Sequence, residues 1–281
     1  MKKITLLITV LFAGFLSYAQ VNTPAASPFS KMEQMVGLTE VTIEYSRPSM
    51  KGRTIFGDLV PYDKLWRTGA NARTKISFNN DITINGKDLS KGTYAIFTIP
   101  GATKWDVILY TEHQGNGAPR ELDDSKVAAR FSVTPITTTM ARETFTIEIG
   151  NLSNAGATLF MFWDKVMVPV NFTVPTDQQV MASIERAMGG PSAGDYYAAA
   201  VYYYDEGKDM SKAKAWIDKA MAGNDNPPFW QLRQKSLIYA KAGDKKGAIA
   251  AAQKSLAAAQ KAGNADYVKM NQDSLKEWGA N

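Results

Sequence analysis

The chain has 281 residues, a formal net charge of +5 and no cysteine. Without thiols there are no disulfides, no thiol catalysis, no cysteine-ligated metal and no lipidated cysteine at a leader's cleavage site. The dense basic face of a nucleic-acid binder is excluded as well, because losing Lys2 and Lys3 with the leader described next lowers the excess to +3.

Lys2 and Lys3 form a positive start, residues 4–16 are an apolar run, and Ser17, Tyr18 and Ala19 put small residues at the two recognition positions before Gln20. This pattern predicts a signal peptide over residues 1–19, cleaved after Ala19, and an exported protein that is periplasmic or extracellular. The apolar run is shorter than the roughly 20 residues that span a bilayer, and no later stretch approaches that length. No membrane span is therefore expected after cleavage.

Residues 20–175 carry a period of two, with turn residues at short intervals. Val41, Ile43 and Tyr45 alternate with Thr42 and Glu44. Ile82 and Ile84 lead into Asn85-Gly86, the dipeptide best suited to a two-residue hairpin, and Leu89 follows on the return strand. Residues 94–99 and 105–110 flank Pro100-Gly101. Phe145, Ile147 and Ile149 alternate, and 158–163 and 166–174 read as a last pair turning at Asp164-Lys165, with the sheet ending over 169–175. About eight or nine short strands with no helix between them predict an antiparallel β-sandwich-like domain.

From residue 176 the period becomes helical and Ala, Lys and Met accumulate. Tyr204 and Tyr239, Asp209 and Asp244, Ala213 and Ala248, and Ala220 and Ser255 are each 35 positions apart. That interval is close to the about 34-residue period of tetratricopeptide repeats. Residues 176–281 are therefore expected to form a tetratricopeptide-like helical segment with a final helix near 265–278. Its tyrosines at 196, 197, 202, 203 and 204 cannot all face one way on a helix. Some belong to the core, and the others suggest docking of a protein partner.

The run Tyr45-Ser46-Arg47-Pro48-Ser49-Met50-Lys51-Gly52-Arg53, then Leu65-Trp66-Arg67-Thr68-Gly69-Ala70-Asn71, resembles the signature of an uncharacterised exported bacterial family, domain-of-unknown-function family 2911. The resemblance continues through Gly92-Thr93-Tyr94, Ile99-Pro100 and Trp105, covering about residues 27–174. It implies an exported β-domain and carries no activity, cofactor or functional residue with it.

Chemistry has to be sought in the residues themselves. Between positions 45 and 75, Arg47, Lys51, Arg53, Lys64, Arg67, Arg73 and Lys75 are offset by Asp58 and Asp63, a local excess of +5 in a stretch rich in Gly, Pro and aromatics. A guanidinium fork grips carboxylate or phosphate, and a tryptophan face stacks on a sugar. Arg47, Arg53, Trp66, Arg67 and Asn71 are thus the candidate ligand-binding residues, for an anionic small molecule or a glycan. The competing explanation is structural: the same arginines pin a long irregular connection by pairing with sheet carboxylates and carbonyls.

His113, in a glycine-flanked loop, is the chain's single histidine. It cannot build a multi-histidine metal site. No nucleophile elbow, zinc-protease helix, phosphate loop or dinucleotide pattern is present, and Asp123-Asp124 lacks the alternating acids of a calcium loop. No metal or cofactor is assigned and the catalytic residues are unknown. The expected function is a binding or scaffolding protein, and the alternative is a hydrolase-type enzyme for an envelope glycan or anionic ester.

Overall fold

A computed structural model describes residues 23–280, so the predicted leader lies outside the described residues. The described residues divide into an antiparallel β-sheet region followed by six helices. Compact units meet in sequence between Thr176 and Asp177.

Ten strands make up the first unit: β1 (Phe29–Val36), β2 (Thr39–Ser46), β3 (Ala70–Phe78), β4 (Ile82–Ile84), β5 (Lys87–Leu89), β6 (Gly92–Ile99), β7 (Trp105–Tyr110), β8 (Val127–Val133), β9 (Ile136–Gly150) and β10 (Gly156–Thr173). They form a six-stranded sheet in the order β1-β2-β3-β6-β7-β8 and a four-stranded sheet in the order β5-β4-β10-β9. One buried cluster takes Val41, Ile43 and Ile76 from the first sheet and Leu159, Met161, Val168 and Val170 from the second. Strands β6 and β7 are buried on both faces, because Ala95, Phe97, Ile108 and Tyr110 pack outward against Leu65, Leu122 and Val127. Their nearly unbroken apolar runs follow from that double burial, which stabilises by roughly 1.5–3 kcal/mol for each large side chain.

Local chemistry explains the turns. Ile84 pairs with Lys87 across Asn85 and Gly86, whose φ values of 46° and 77° suit a two-residue hairpin. The expected final pair around Asp164-Lys165 is corrected: residues 156–173 are one strand, and both halves pair with β9. The reason is a bulge. The register shifts twice beside Asp164, which alone of the two turn candidates has a positive φ, 50°. Pro169 does not end the sheet either. Ladder pairing with β9 stops at Met167 and pairing with β4 starts at Phe172, so the missing N–H falls between the two. Strand β1, which no alternation announced, is an edge strand with a Lys31–Glu33 ion pair on its surface.

The six helices are α1 (Thr176–Ala187), α2 (Ala193–Asp205), α3 (Met210–Met221), α4 (Phe229–Lys241), α5 (Lys245–Lys261) and α6 (Ala265–Glu277). Asp209 caps α3 and Asp244 caps α5, each accepting main-chain N–H bonds of the first turn. Ala213 and Ala248, which hold equivalent places in those helices, are fully buried. The five tyrosines are engaged within this unit: Tyr203 packs edge-on against Trp216, Tyr202 donates to Asp177, Tyr197 joins the core, and Tyr196 and Tyr204 lie under Lys219 and Lys241.

Two outcomes test this packing. The buried Tyr45 hydroxyl accepts from the Ile147 N–H at 2.9 Å, linking β2 to β9. Tyr45→Phe orphans that N–H and is expected to cost about 1–3 kcal/mol, read as a lower urea midpoint with an unchanged slope; a variant as stable as the parent refutes the link. In the helical unit, burial and then the bond to Asp218 raise the Tyr239 phenol above its ordinary value. A raised phenol supports folding fully below its unfolded value near 10, and that support is lost as pH rises past it. Melting followed by far-ultraviolet dichroism is expected to fall above that pH, with a shallower fall in Tyr239→Phe.

Candidate functional site

The site lies in the connection from β2 to β3. Its first part runs beside β9: Phe145 N–H donates to Pro48 O at 2.8 Å, Met50 N–H to Glu143 O at 2.8 Å, and Ser49 bridges to Thr144. Arg47 is consumed by this seam. Its Nε donates to Phe145 O at 3.1 Å and its Nη2 to Thr146 Oγ1 at 2.8 Å. The structural explanation holds for this arginine, which does not line the cavity described below.

Beyond the seam the chain arches. Ile55 is fully buried and anchors a tight turn in which Gly57 N–H donates to Val60 O and Val60 N–H to Ile55 O. At the far end Trp66 exchanges two main-chain bonds with Thr98, at 2.8 and 3.0 Å. The next turn is strained at Thr68, which is buried and β-branched with φ 57°, while Gly69, at φ 146°, takes a conformation that glycine adopts freely. A left-handed β-branched residue costs of order 1–3 kcal/mol and persists where its surroundings over-determine it. Here Thr68 Oγ1 meets Thr98 Oγ1 at 3.1 Å and Thr68 O accepts from Thr74 Oγ1 at 2.5 Å.

Between the seam and the arch is a cavity of about 490 Å³. Trp66 and Trp163 line it, stacked at 5.8 Å and 19°, with Phe56, Trp105 and Phe145 edge-on around Trp66. Trp66 Nε1 donates to Gly69 O at 3.2 Å. Four cations line the same space: Lys51, Arg53, Lys64 and Arg67. Among the described residues none of them has an ion-pair partner, whereas Arg73 pairs with Glu112 and Lys75 with Glu44. Arg53 is held by main-chain oxygens, through Nε to Met50 O at 2.8 Å and Nη2 to Ser49 O at 2.6 Å, leaving the rest of its fork unclaimed. Arg67 Nε is buried without a hydrogen-bond partner. Such an orphan costs about 1–3 kcal/mol and calls for an explanation.

Of the residues singled out in the sequence, Arg53, Trp66 and Arg67 line the cavity and Arg47 and Asn71 do not. Asn71, at φ 56°, donates through Nδ2 to Ser27 O at 3.3 Å and accepts from Gly117 N–H at 3.2 Å, so it fastens the segment that supplies Ala26 and Ser27 to the cavity wall. His113 contacts Gln114 and does not line the cavity. Sequence reasoning missed Lys51 and Lys64 as wall residues, although both contribute to the local charge excess. It also missed Trp163, which arrives from β10 and has no local signal.

The helical unit has its own groove of about 1040 Å³, lined by residues such as Phe229, Leu232 and Tyr239 of α4 and Ala251, Lys254 and Lys261 of α5.

These features define a class: an antiparallel β unit holding a cationic, tryptophan-lined cavity, with a helical unit in the same chain. The chain belongs to the family described as Protein of unknown function (DUF2911), whose model matches residues 27–172. The matched span takes in the seam, the arch and all ten strands up to Phe172 of β10. No curated protein and no solved structure matches the chain.

The strained arch gives a direct test. A Cβ on Gly69 would meet Ser46 O at 3.0 Å and Thr74 Oγ1 at 2.9 Å. Gly69→Ala is expected to destabilise the β unit by about 1–3 kcal/mol, seen as an earlier tryptophan-fluorescence unfolding transition, and an unchanged transition shows that the arch tolerates another backbone path.

Proposed function

We propose that this is an exported binding protein whose β unit, a β-sandwich-like domain, takes an anionic small molecule in the cavity beside Trp66. The observation that carries the reading is the set of four cations, Lys51, Arg53, Lys64 and Arg67, that have no ion-pair partner among the described residues and surround one concavity whose described wall has no carboxylate. A volume near 490 Å³ lies in the range of small-molecule sites. Charge-assisted bonds from guanidinium and ammonium groups are the strong ones, and they gain from a partly dry setting. The leader over residues 1–19 belongs to the same proposal and directs the chain to the periplasm or beyond.

The rival, a hydrolase for an envelope glycan or anionic ester, needs a positioned general acid or base. Among the described residues the cavity wall has neither imidazole nor carboxyl group, and the Ser49 hydroxyl is engaged with Thr144 Oγ1 at 2.9 Å. The binding reading therefore ranks first. We read the helical unit as tetratricopeptide-like, on the strength of Asp209 and Asp244 capping alternate helices, α3 and α5, at the repeat interval, and its groove between α4 and α5 as the surface for a protein partner.

Titration calorimetry of the full chain with small carboxylates, sulfate esters and phosphate monoesters tests the anion site. Arg53→Gln and Lys64→Gln are each expected to weaken binding about tenfold, which corresponds to about 1.4 kcal/mol. Arg47→Gln is expected to lower the melting temperature and leave affinity unchanged. If no anion binds, or if affinity is indifferent to Arg53 and Lys64, the proposal fails.

A further inference from the structure

We infer that the anion is amphiphilic, a single carboxylate or sulfate head on an aliphatic body, and not a polyhydroxylated acidic sugar. The inference rests on the anion-binding reading above and adds what the rest of the ligand must be.

Lys51, Arg53, Lys64 and Arg67 are donors with no acceptor capacity. Among the described side chains that line the cavity, the hydrogen-bond acceptors are the hydroxyls of Ser27 and Ser49, and Ser49 already shares a hydrogen bond with Thr144. Among the described residues, no Asn, Gln, Asp or Glu lines the wall. Six main-chain oxygens of the wall are engaged as well. Ser27 O accepts from Asn71, Pro48 O from Phe145, Ser49 O from Arg53, Val60 O from Gly57, Trp66 O from Thr98 and Gly69 O from the Trp66 indole.

A sugar hydroxyl brings a proton that must be accepted, and burying it without a partner costs about 1–3 kcal/mol. An ionised carboxylate or sulfate brings lone pairs alone, which is what a wall of donors can satisfy. The rest of the wall is apolar: Leu59, Val60, Pro61 and Leu65 come from the arch, and the Trp66 and Trp163 rings complete it. Leu59 is 42% exposed although it lines a concavity. A hydrocarbon body covers that surface without demanding any acceptor.

Intrinsic tryptophan fluorescence and calorimetry on the full chain, with probes kept below their micelle concentrations, separate the outcomes. Affinity is expected to rise by up to about fourfold for each methylene added between butanoate and octanoate, the conversion of about 0.8 kcal/mol per buried methylene. Octyl sulfate is expected to bind comparably with octanoate, and galacturonate and inorganic phosphate at least tenfold more weakly. Leu59→Ser, at an exposed position outside the fold's core, is expected to weaken octanoate severalfold and leave butanoate nearly unchanged. If galacturonate or phosphate binds as tightly as octanoate and both lose affinity in Lys64→Gln, the anion site stands and the amphiphile is overturned. If octyl glucoside matches octanoate and Lys64→Gln changes neither, the anion reading itself is wrong. Absence of octanoate binding overturns the inference outright.

Discussion

Main-chain pairing between residues 45–50 and β9 is the constraint on which the rest of the β unit depends. Two strands in different sheets are tied there by Phe145 N–H to Pro48 O, Met50 N–H to Glu143 O and the buried Tyr45 hydroxyl beside Ile147. Pro48 fits because its own missing donor is not needed while its carbonyl is. Arg47 adds two bonds across the same seam and its guanidinium lies about 6.0 Å from the Tyr45 ring. With that edge fixed, the chain must leave β9 and return to start β3 at Ala70, and an arch is the result.

An arch pinned at both ends stores strain instead of relaxing it. Lys51, Asp63, Thr68 and Asn71 all have positive φ, an uncommon density for residues that carry a Cβ. The same arch leaves Arg67 Nε buried and unpaired. A fold bears such costs where neighbours over-determine the geometry, and the Trp66–Trp163 stack with its ring of edge-on aromatics supplies that determination. Rigidity of this kind fixes the main chain from which the cations project, whereas a mobile loop would spend binding energy on ordering itself.

Legibility in the sequence followed the range of the interaction. The Asn85-Gly86 hairpin, the alternation of β2 and the helical register from residue 193 are local, and each was readable from its own residues. The bulge at Asp164 was not, because a lone turn-forming residue reads the same whether the chain reverses or kinks; what decides is the partner strand, and β9 is long enough to pair with both halves of β10. The site divides the same way. Arg53, Trp66 and Arg67 were found through a local surplus of charge among aromatics. Arg47 and Asn71 share that local character, but hydrogen bonds to Phe145, Thr146 and Ser27, distant in sequence, assign them to fastening. Trp163 enters through sheet topology alone.

The two halves of the charge surplus show why counting cations is insufficient and pairing is decisive. Arg73 and Lys75 lie on β3, where Glu112 and Glu44 reach them, and their charge is neutralised by the fold. Lys51, Arg53, Lys64 and Arg67 have no ion-pair partner among the described residues, and the Glu143 carboxylate that comes near accepts from the Lys51 main-chain N–H at 2.8 Å and not from its ammonium. Like charges gathered without counter-charges repel, though exposed pairs are screened by salt and water. On the proposed reading, an anion bound there would relieve the repulsion and supply acceptors at once, and it would stabilise the native state in proportion to the logarithm of its concentration. The cation repulsion that opposes folding would therefore be the same interaction that favours the proposed anion.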